Sequence, residues 1–264
     1  MTIAIGVDVG GSGIKVAAVD LDTGKLASTR QRVPTPQPST PEAMLPIIAQ
    51  LVKRATTSVK KPNAPVGVGM PCVVLDGTTI TAANIDKGWT MFPAIAEMSK
   101  AVGRPVHLGN DADLAGLAEI RYGLGATDPT VRKGVVIFLT LGTGVGSGVF
   151  NDGVLVPNTE LGHMEIRGKD AERRSAAAAR VRRGESWRFW ATELDEHLKA
   201  IDKIFWPNAF ILGGGISKNA DKFVPRLTCR PKVLVASLRN EAGIVGAALL
   251  GASREAQVEL DPGK

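Results

Sequence analysis

Apolar residues fill or alternate through residues 3–9 and 14–20, and β-branched residues dominate both runs, which predicts two strands. A third strand over 26–33 follows the turn Asp22-Thr23-Gly24, making an antiparallel meander. Pro34, Pro36, Pro38 and Pro41 turn the next stretch into an extended connection. Thr40 as N-cap and Pro41 at the first helical position then open a helix that reaches about residue 58. Val66 to Met70 reads as a buried strand, Phe92 to Val102 as a helix, and Val106 to Leu108 as a short strand running into Gly109-Asn110-Asp111. The helix after Asp111 carries Leu114, Leu117, Ala118 and Tyr122 on one face.

A second meander starts at Gly134 and repeats the strand-glycine-strand pattern of the first. A polar, arginine-rich stretch from Arg167 to Arg188 follows, then a helical period over Ser186 to Phe205. Ala209 to Leu212 and Val233 to Val235 are short strands, and Glu241 to Leu250 is a closing helix. The chain therefore reads as two α/β halves with a cleft between them. The first domain covers 1–108 and is completed by the C-terminal helix 241–264; the second covers 109–240.

The two glycine hairpins carry the strongest chemical signal. Asp8-Val9-Gly10-Gly11-Ser12-Gly13-Ile14-Lys15 and Gly142-Thr143-Gly144-Val145-Gly146 each follow an apolar strand. Glycines without a Cβ let a polyanion approach bare backbone N–H groups. A third block, Gly213-Gly214-Gly215, follows another apolar strand and is placed to open a helix whose N-terminus favours an anion or nucleotide. Three such loops point to phosphoryl transfer. Walker A spacing and protein-kinase catalytic strings are absent, so the phosphate grip is of another type.

Asp8 ends its strand where a carboxylate can face phosphate across Mg²⁺, through water or phosphate oxygens; the plain alternative is a turn aspartate. Asn110-Asp111 opens a helix, where the carboxylate can take a hydroxyl proton and the amide can hydrogen-bond a sugar alcohol. The same dipeptide is also what a helix cap requires. Glu160 and His163, three residues apart around Gly162, can grip vicinal hydroxyls. A structural histidine is the alternative, and no cysteine pair or second histidine stands at ligand spacing to make a metal site.

Composition narrows the class. The chain of 264 residues is 44% hydrophobic and no apolar run approaches the roughly 18 residues of a membrane span, which predicts a protein without signal peptide or anchor. Cys72 and Cys229 are the two cysteines, so a disulfide framework is not expected and a cytoplasmic setting is. The net charge of +6 suggests anionic partners. Basic residues gather at Arg30 and Arg32, at Lys53, Arg54, Lys60 and Lys61, and at Arg173, Arg174, Arg180, Arg182 and Arg183. Solvated helical faces explain most such runs. With one tyrosine and no interleaved aromatics, a linear phosphate polymer suits them better than nucleic acid.

Taken together, Asp8-Val9-Gly10-Gly11-Ser12, Asn110-Asp111, Gly142 to Gly146, Glu160-Leu161-Gly162-His163 and Leu212 to Gly215 resemble the ROK family of sugar kinases and repressors. Gly10 to Lys15 and Thr35 to Pro41 are most similar to its polyphosphate-using glucokinase branch. The resemblance implies a two-domain actin-like (ribonuclease-H-like) sugar kinase fold that closes over sugar. It implies Asp111 as base, Asn110, Glu160 and His163 as hexose ligands, and Glu172 and Asn84 as further contacts. Asp8, Gly10, Gly11, Ser12, Gly13, Lys15, Thr140, Gly142, Thr143 and Gly144 would address phosphate and Mg²⁺. Gly213 to Gly215 would address adenosine where ATP is used. Glucose and in some members mannose are the implied acceptors; inorganic polyphosphate and ATP are the donors. The cysteine-rich zinc motif of many members is missing after His163, so zinc is not expected, and with the first strand at Ile3 a DNA-binding repressor is not expected either. An ATP-only kinase of another hexose or amino sugar and a sugar-sensing module remain alternatives. Association into a homodimer is left open by the sequence.

Overall fold

A computed structural model describes residues 2–260, with side chains up to Ser253. The fold divides into two compact units. One takes in the described residues up to Ala118 and those from Glu241 onward; the other is Glu119–Asn240.

In the first unit β1 (Ile3–Gly10) and β2 (Gly13–Asp20) form a hairpin, extended by β3 (Lys25–Leu26) and β4 (Gln31–Val33), both paired with β2. On the other side of β1 lie β5 (Val66–Met70) and β8 (His107–Asn110), both parallel to it in sequence of pairing. A separate small hairpin joins β6 (Val74–Leu75) to β7 (Thr78–Thr79). The strand expected over 26–33 is broken in two. At Ser28 the side-chain hydroxyl, not a backbone carbonyl, accepts the Ala18 N–H at 2.9 Å, so the ladder lapses there.

Helix α1 (Pro41–Ser58) is capped by Thr40, whose hydroxyl accepts from the Ala43 N–H, and it buries Met44, Ile48, Leu51 and Val52. Helix α2 (Ala94–Val102) starts after Pro93 and ends on Gly103 in a left-handed conformation. Buried Trp89 joins this core and donates its indole N–H to the Ser39 carbonyl at 2.9 Å. Helix α3 (Asp111–Arg121) follows β8 directly.

Helix α8 (Ala242–Leu260) lies on β1 and β5 at backbone range. A Cβ on Gly6 would overlap the Ile244 carbonyl, and one on Gly67 would overlap that of Ala247. This helix continues well past the expected end at Leu250; residues 261–264 of the expected closing segment lie outside the described residues. The unit boundary falls within α3, later than the expected 108. The first turns of α3 stay with the first unit because Leu114 packs at Gly69 and Gly109, and because Gly246 of α8 abuts the Leu114 carbonyl.

The second unit repeats the plan. Its sheet order is β11 (Val154–Val156), β10 (Val145–Asn151), β9 (Val135–Leu141), β14 (Ala209–Gly213), β15 (Lys232–Val235). Strands β9, β10 and β11 are antiparallel neighbours, whereas β14 runs parallel to β9 and to β15. Short helices α4 (Leu124–Thr127), α5 (Glu172–Ser175) and α6 (Ala177–Arg183) surround it, with a small hairpin of β12 (Glu165–Ile166) and β13 (Lys169–Asp170). Helix α7 (Trp187–Phe205), capped by Ser186, buries Trp190, Leu194, Leu198 and Ile201 against Ile137, Leu139, Phe210 and Leu212. Among the described residues no helix is long and apolar enough to cross a membrane.

The backbone approach of α8 is directly testable. Gly67→Ala should lower stability by about 3 kcal/mol, because the sheet and helix must part to admit one methyl group. Gly215→Ala, where a Cβ meets nothing within 4 Å, should cost less than about 1 kcal/mol. Urea midpoints of the two variants and the parent check the contrast.

Candidate functional site

The first glycine hairpin is held from three sides. Gly10 pairs with Gly13, leaving Gly11 and Ser12 as the exposed tip. The buried Thr35 hydroxyl donates to the Gly10 carbonyl at 2.5 Å, and the Arg32 guanidinium donates to the Ser12 carbonyl at 3.1 Å. A Cβ on Gly11 would stand 2.6 Å from the Asn84 carbonyl oxygen, so Asn84 meets the hairpin through its backbone. Its part in the structure is therefore contact with the glycine tip, while the expected sugar contact concerns an exposed side chain.

Asp8 and Lys15 face each other across β1 and β2, with Lys15 Nζ 2.6 Å from Asp8 Oδ2. A Cβ on Gly243 would approach Asp8 Cγ to 2.8 Å, which places the carboxylate at the start of α8, where the helix end favours negative charge. These observations bear on Mg²⁺. An ammonium on one oxygen opposes direct ligation by a bare dication, whereas a hydrated ion held through water fits Asp8.

Asn110 is buried and caps α3: its Oδ1 accepts from the N–H groups of Ala112 at 2.9 Å and Asp113 at 3.2 Å. Its Nδ2 donates to the Cys72 carbonyl at 3.2 Å. The Oδ1 atom thus serves as the cap, because unpaired N–H groups at a buried helix start need an acceptor. The cap fixes the next residue, Asp111, at the first position of the helix, with its Cα 3.5 Å from the point where Gly69 would carry a Cβ.

In the second unit the hairpin between β9 and β10 turns at Gly142 to Gly144, with Thr143 exposed and a hydrogen bond from the Gly142 N–H to the Gly144 carbonyl. A Cβ on Gly142 would meet nothing within 4 Å, so its backbone is open on that side. Thr140 lies opposite Gly146 on the adjoining strands. Glu172 reaches over this turn: its Oε2 accepts from the Val145 N–H at 2.9 Å, and a Cβ on Gly144 would overlap it. Glu172, expected only as a sugar contact, also fastens α5 to the hairpin.

Glu160 and His163 sit on a one-turn 3₁₀ helix held to β10. Ser147, fully buried, donates to the Thr159 carbonyl at 2.5 Å and accepts from the Leu161 N–H at 2.9 Å. Gly162 lies so close to the Val145 carbonyl that no side chain fits. His163 Nδ1 is 3.2 Å from Asp170 Oδ2 and its Nε2 is 4.0 Å from Glu160 Oε2. Burial raises the Glu160 carboxyl above the ordinary glutamate range; nearby His163 opposes the rise and Glu172 adds to it. Asp170 escaped the sequence reading. The turn at Arg167 and Gly168, both with positive φ, folds it back to face Glu165, and an Arg-Gly dipeptide between short apolar positions was the available signal. Donor atoms of His163, Asp170 and Glu172 lie within 4.8 Å of one another. Only folding brings these two carboxylates to His163.

The third glycine block corrects another expectation. Gly214 has φ 85°, and the chain continues as a kinked 3₁₀ segment, Gly215–Lys222, not as an α-helix with a regular N-terminus. Gly213 packs on the Phe138 ring and Gly214 on the Leu141 backbone, so both are required by packing, while Gly215 remains open.

His197, another residue sequence reasoning passed over, is buried between the Glu160–His163 turn and α5. Its Nε2 is 3.0 Å from the Leu161 carbonyl and its Nδ1 2.9 Å from Ser175 Oγ. It therefore ties the Glu160–His163 turn to the end of α5. Burial lowers its pKa; the bond to Leu161 and the charge of Glu172 act against that.

Most arginines of the 173–183 run are engaged inside the unit. Arg174 bonds Glu193 at 2.8 Å and Glu196 at 3.0 Å; Arg183 bonds Glu193 and Glu185. Arg180 lies 3.7 Å over the Trp187 ring. Arg174, Arg180 and Arg183 thus brace α5 and α6 on α7, while Arg173 and Arg182 are exposed and, among the described residues, have no carboxylate in ion-pair range. Cys229 is no nucleophile either, since burial and Asp195 push its thiol up to about 11.

Two units of one strand order, each with a glycine hairpin between its first two strands, define the class: a two-domain α/β fold of the actin-like sugar kinases. Residues 4–177 match the model of the ROK family, and the chain belongs to that family. It is 47% identical over 245 residues to the polyphosphate glucokinase of Mycobacterium tuberculosis, covering 92% of this chain and 89% of the relative. The inorganic polyphosphate/ATP-glucomannokinase of Arthrobacter sp. strain KM superposes with a TM-score of 0.88 at 47% identity, covering 96% of this chain and 100% of that one. A ROK family glucokinase from Streptomyces griseus, solved with glucose and AMPPNP, gives 0.80 at 26% identity over 95% and 99% of the two chains.

The buried histidine sets a pH dependence. Because the folded pKa lies below the ordinary value near 6.5, the unfolded chain takes up the proton first as pH falls. Stability is full above that value and declines below it, toward the lowered folded pKa. His197→Gln, which keeps a donor for Leu161, should show a smaller drop in urea midpoint between pH 7 and pH 5.5 than the parent.

Proposed function

We propose that this chain is a polyphosphate glucokinase, transferring the terminal phosphoryl group of inorganic polyphosphate or ATP to the 6-hydroxyl of glucose, with mannose as a second acceptor. The observation that carries the reading is 47% identity across about nine tenths of both this chain and the Mycobacterium tuberculosis polyphosphate glucokinase. The glucomannokinase of the same fold supports both the pair of donors and the pair of sugars. Cys72 and Cys229, both free thiols, suit a reducing cytoplasmic setting.

The chemistry falls to few groups. Asp111, at the start of α3, accepts the proton of the 6-hydroxyl as its oxygen attacks the terminal phosphorus. The bond to the next phosphate breaks, and the shortened polyphosphate or ADP leaves with the electron pair. The N-terminal end of α3 favours the carboxylate as an anion, and the Asn110 cap holds it in place. Glu160, His163 and Glu172 accept and donate hydrogen bonds to ring hydroxyls. The hairpins at Gly10 to Gly13 and at Gly142 to Gly144 offer backbone N–H groups to phosphate. Mg²⁺, held at Asp8 through water or phosphate, would neutralise phosphate oxygens. Orientation and charge neutralisation supply most of the rate.

Formation of glucose 6-phosphate by the purified protein, with nucleotide-free polyphosphate and with ATP, tests the reading; product from neither donor with glucose or mannose would end it. Asp111→Asn should lower kcat by about a thousandfold while glucose affinity changes little. Parent-like turnover in that variant would remove Asp111 from the role of base, and glucose binding followed by calorimetry separates lost chemistry from lost folding.

A further inference from the structure

The first sheet carries a row of register partners: Gly109, Gly69, Asp8, Lys15 and Arg32, on β8, β5, β1, β2 and β4 in turn. Directly paired residues project to the same face of a sheet. From Gly69, beside the Asp111 backbone, the row passes the Asp8–Lys15 ion pair and ends at Arg32. Three steps between neighbouring strands put the Arg32 position about 14 Å from that of Gly69.

Arg32 differs from most of the cations described above. Lys15 is neutralised by Asp8, and Arg174 and Arg183 by glutamates. Arg32 is exposed, and among the described residues no carboxylate lies within ion-pair range of it. Its guanidinium folds along the same face toward the hairpin tip. A Cβ on Gly13 would stand 2.9 Å from its Nε, so the arginine can lie there only because residue 13 is glycine. One Nη2 bond to the Ser12 carbonyl fixes the group and leaves most of its five donors for a ligand. Thr35, three residues on, locks the same hairpin through Gly10.

We propose that Arg32 is a donor subsite for polyphosphate, binding oxygens of phosphate units beyond the one transferred. The proposal rests on the polyphosphate glucokinase reading. A planar guanidinium matches phosphate oxygens in pairs, and a fixed one loses little freedom on binding. Its place at the far end of the row suits a donor that continues past a third phosphate, which ATP does not.

The test compares the parent with Arg32→Gln and Arg32→Lys. Glutamine keeps a donor for the Ser12 carbonyl and removes the charge. Loss of a charged hydrogen bond should raise KM for long-chain polyphosphate about tenfold or more in Arg32→Gln, and less in Arg32→Lys. KM for ATP should rise by a much smaller factor, and kcat/KM for polyphosphate should become less sensitive to salt. Equal rises for both donors would overturn the subsite and leave Arg32 as a brace of the hairpin. Thermal unfolding with long-chain polyphosphate alone decides the subsite apart from turnover. Polyphosphate should raise the parent's Tm and raise that of Arg32→Gln less; an equal shift, or none in the parent, overturns it. A parent that turns over ATP but not polyphosphate would refute the donor assignment, and the Tm comparison would still decide Arg32.

Discussion

The first unit depends on one close approach: α8 rests on β1 and β5 with backbone against backbone, through Gly6 and Gly67. That approach fixes more than a core. It brings the start of α8 to Asp8, and through Gly246 it holds the Leu114 turn of α3 against the sheet. The carboxylate at the first hairpin and the one at the start of α3 are thereby set by the same helix. Val7, Val66 and Val68 alternate to the other face of the sheet, into the core with Met44, Ile48 and Leu51, while on the α8 face the spacing is dictated by the missing side chains.

Each glycine hairpin is braced by side chains chosen for their hydrogen bonds. In the first, Thr35 and Arg32 take the carbonyls of Gly10 and Ser12, which leaves N–H groups as the chemistry of the tip. In the second, Glu172 takes the Val145 N–H and joins the turn to the acidic cluster with His163 and Asp170. Ser147 and His197 stand behind that cluster, buried, each with bonds to the chain segment that carries Glu160 and His163. Buried polar groups without such partners would destabilise the unit, so these bonds define where the segment can sit.

Charge is distributed by the same logic. The net +6 of the chain says little about where a phosphate polymer would bind, because a folded arginine is as often a strut as a ligand. Arg174 and Arg183 converge on the buried Glu193, a desolvated anion that needs both. Arg180 covers an indole. Arg32, on an edge strand and unpaired with any described carboxylate, lies against the glycine hairpin through the Ser12 carbonyl.

The sequence by itself determined the doubled strand-glycine-strand plan, the α1 cap at Thr40, the helix over 187–205 and the family. These signals are local: periodicity, capping and glycine punctuation act over a few residues and survive without a partner. Local rules also carried Asn110 as the cap of α3, its oxygen taken by the first N–H groups of the helix. Only the tertiary structure decided that Asp170 returns to His163, that His197 links Leu161 to Ser175, that Glu172 secures the second turn, and which arginines remain without a partner. Each of these depends on hydrogen bonds or ion pairs between segments distant in the chain, and a side chain's partner across such a distance is set by packing, which no spacing along the sequence encodes.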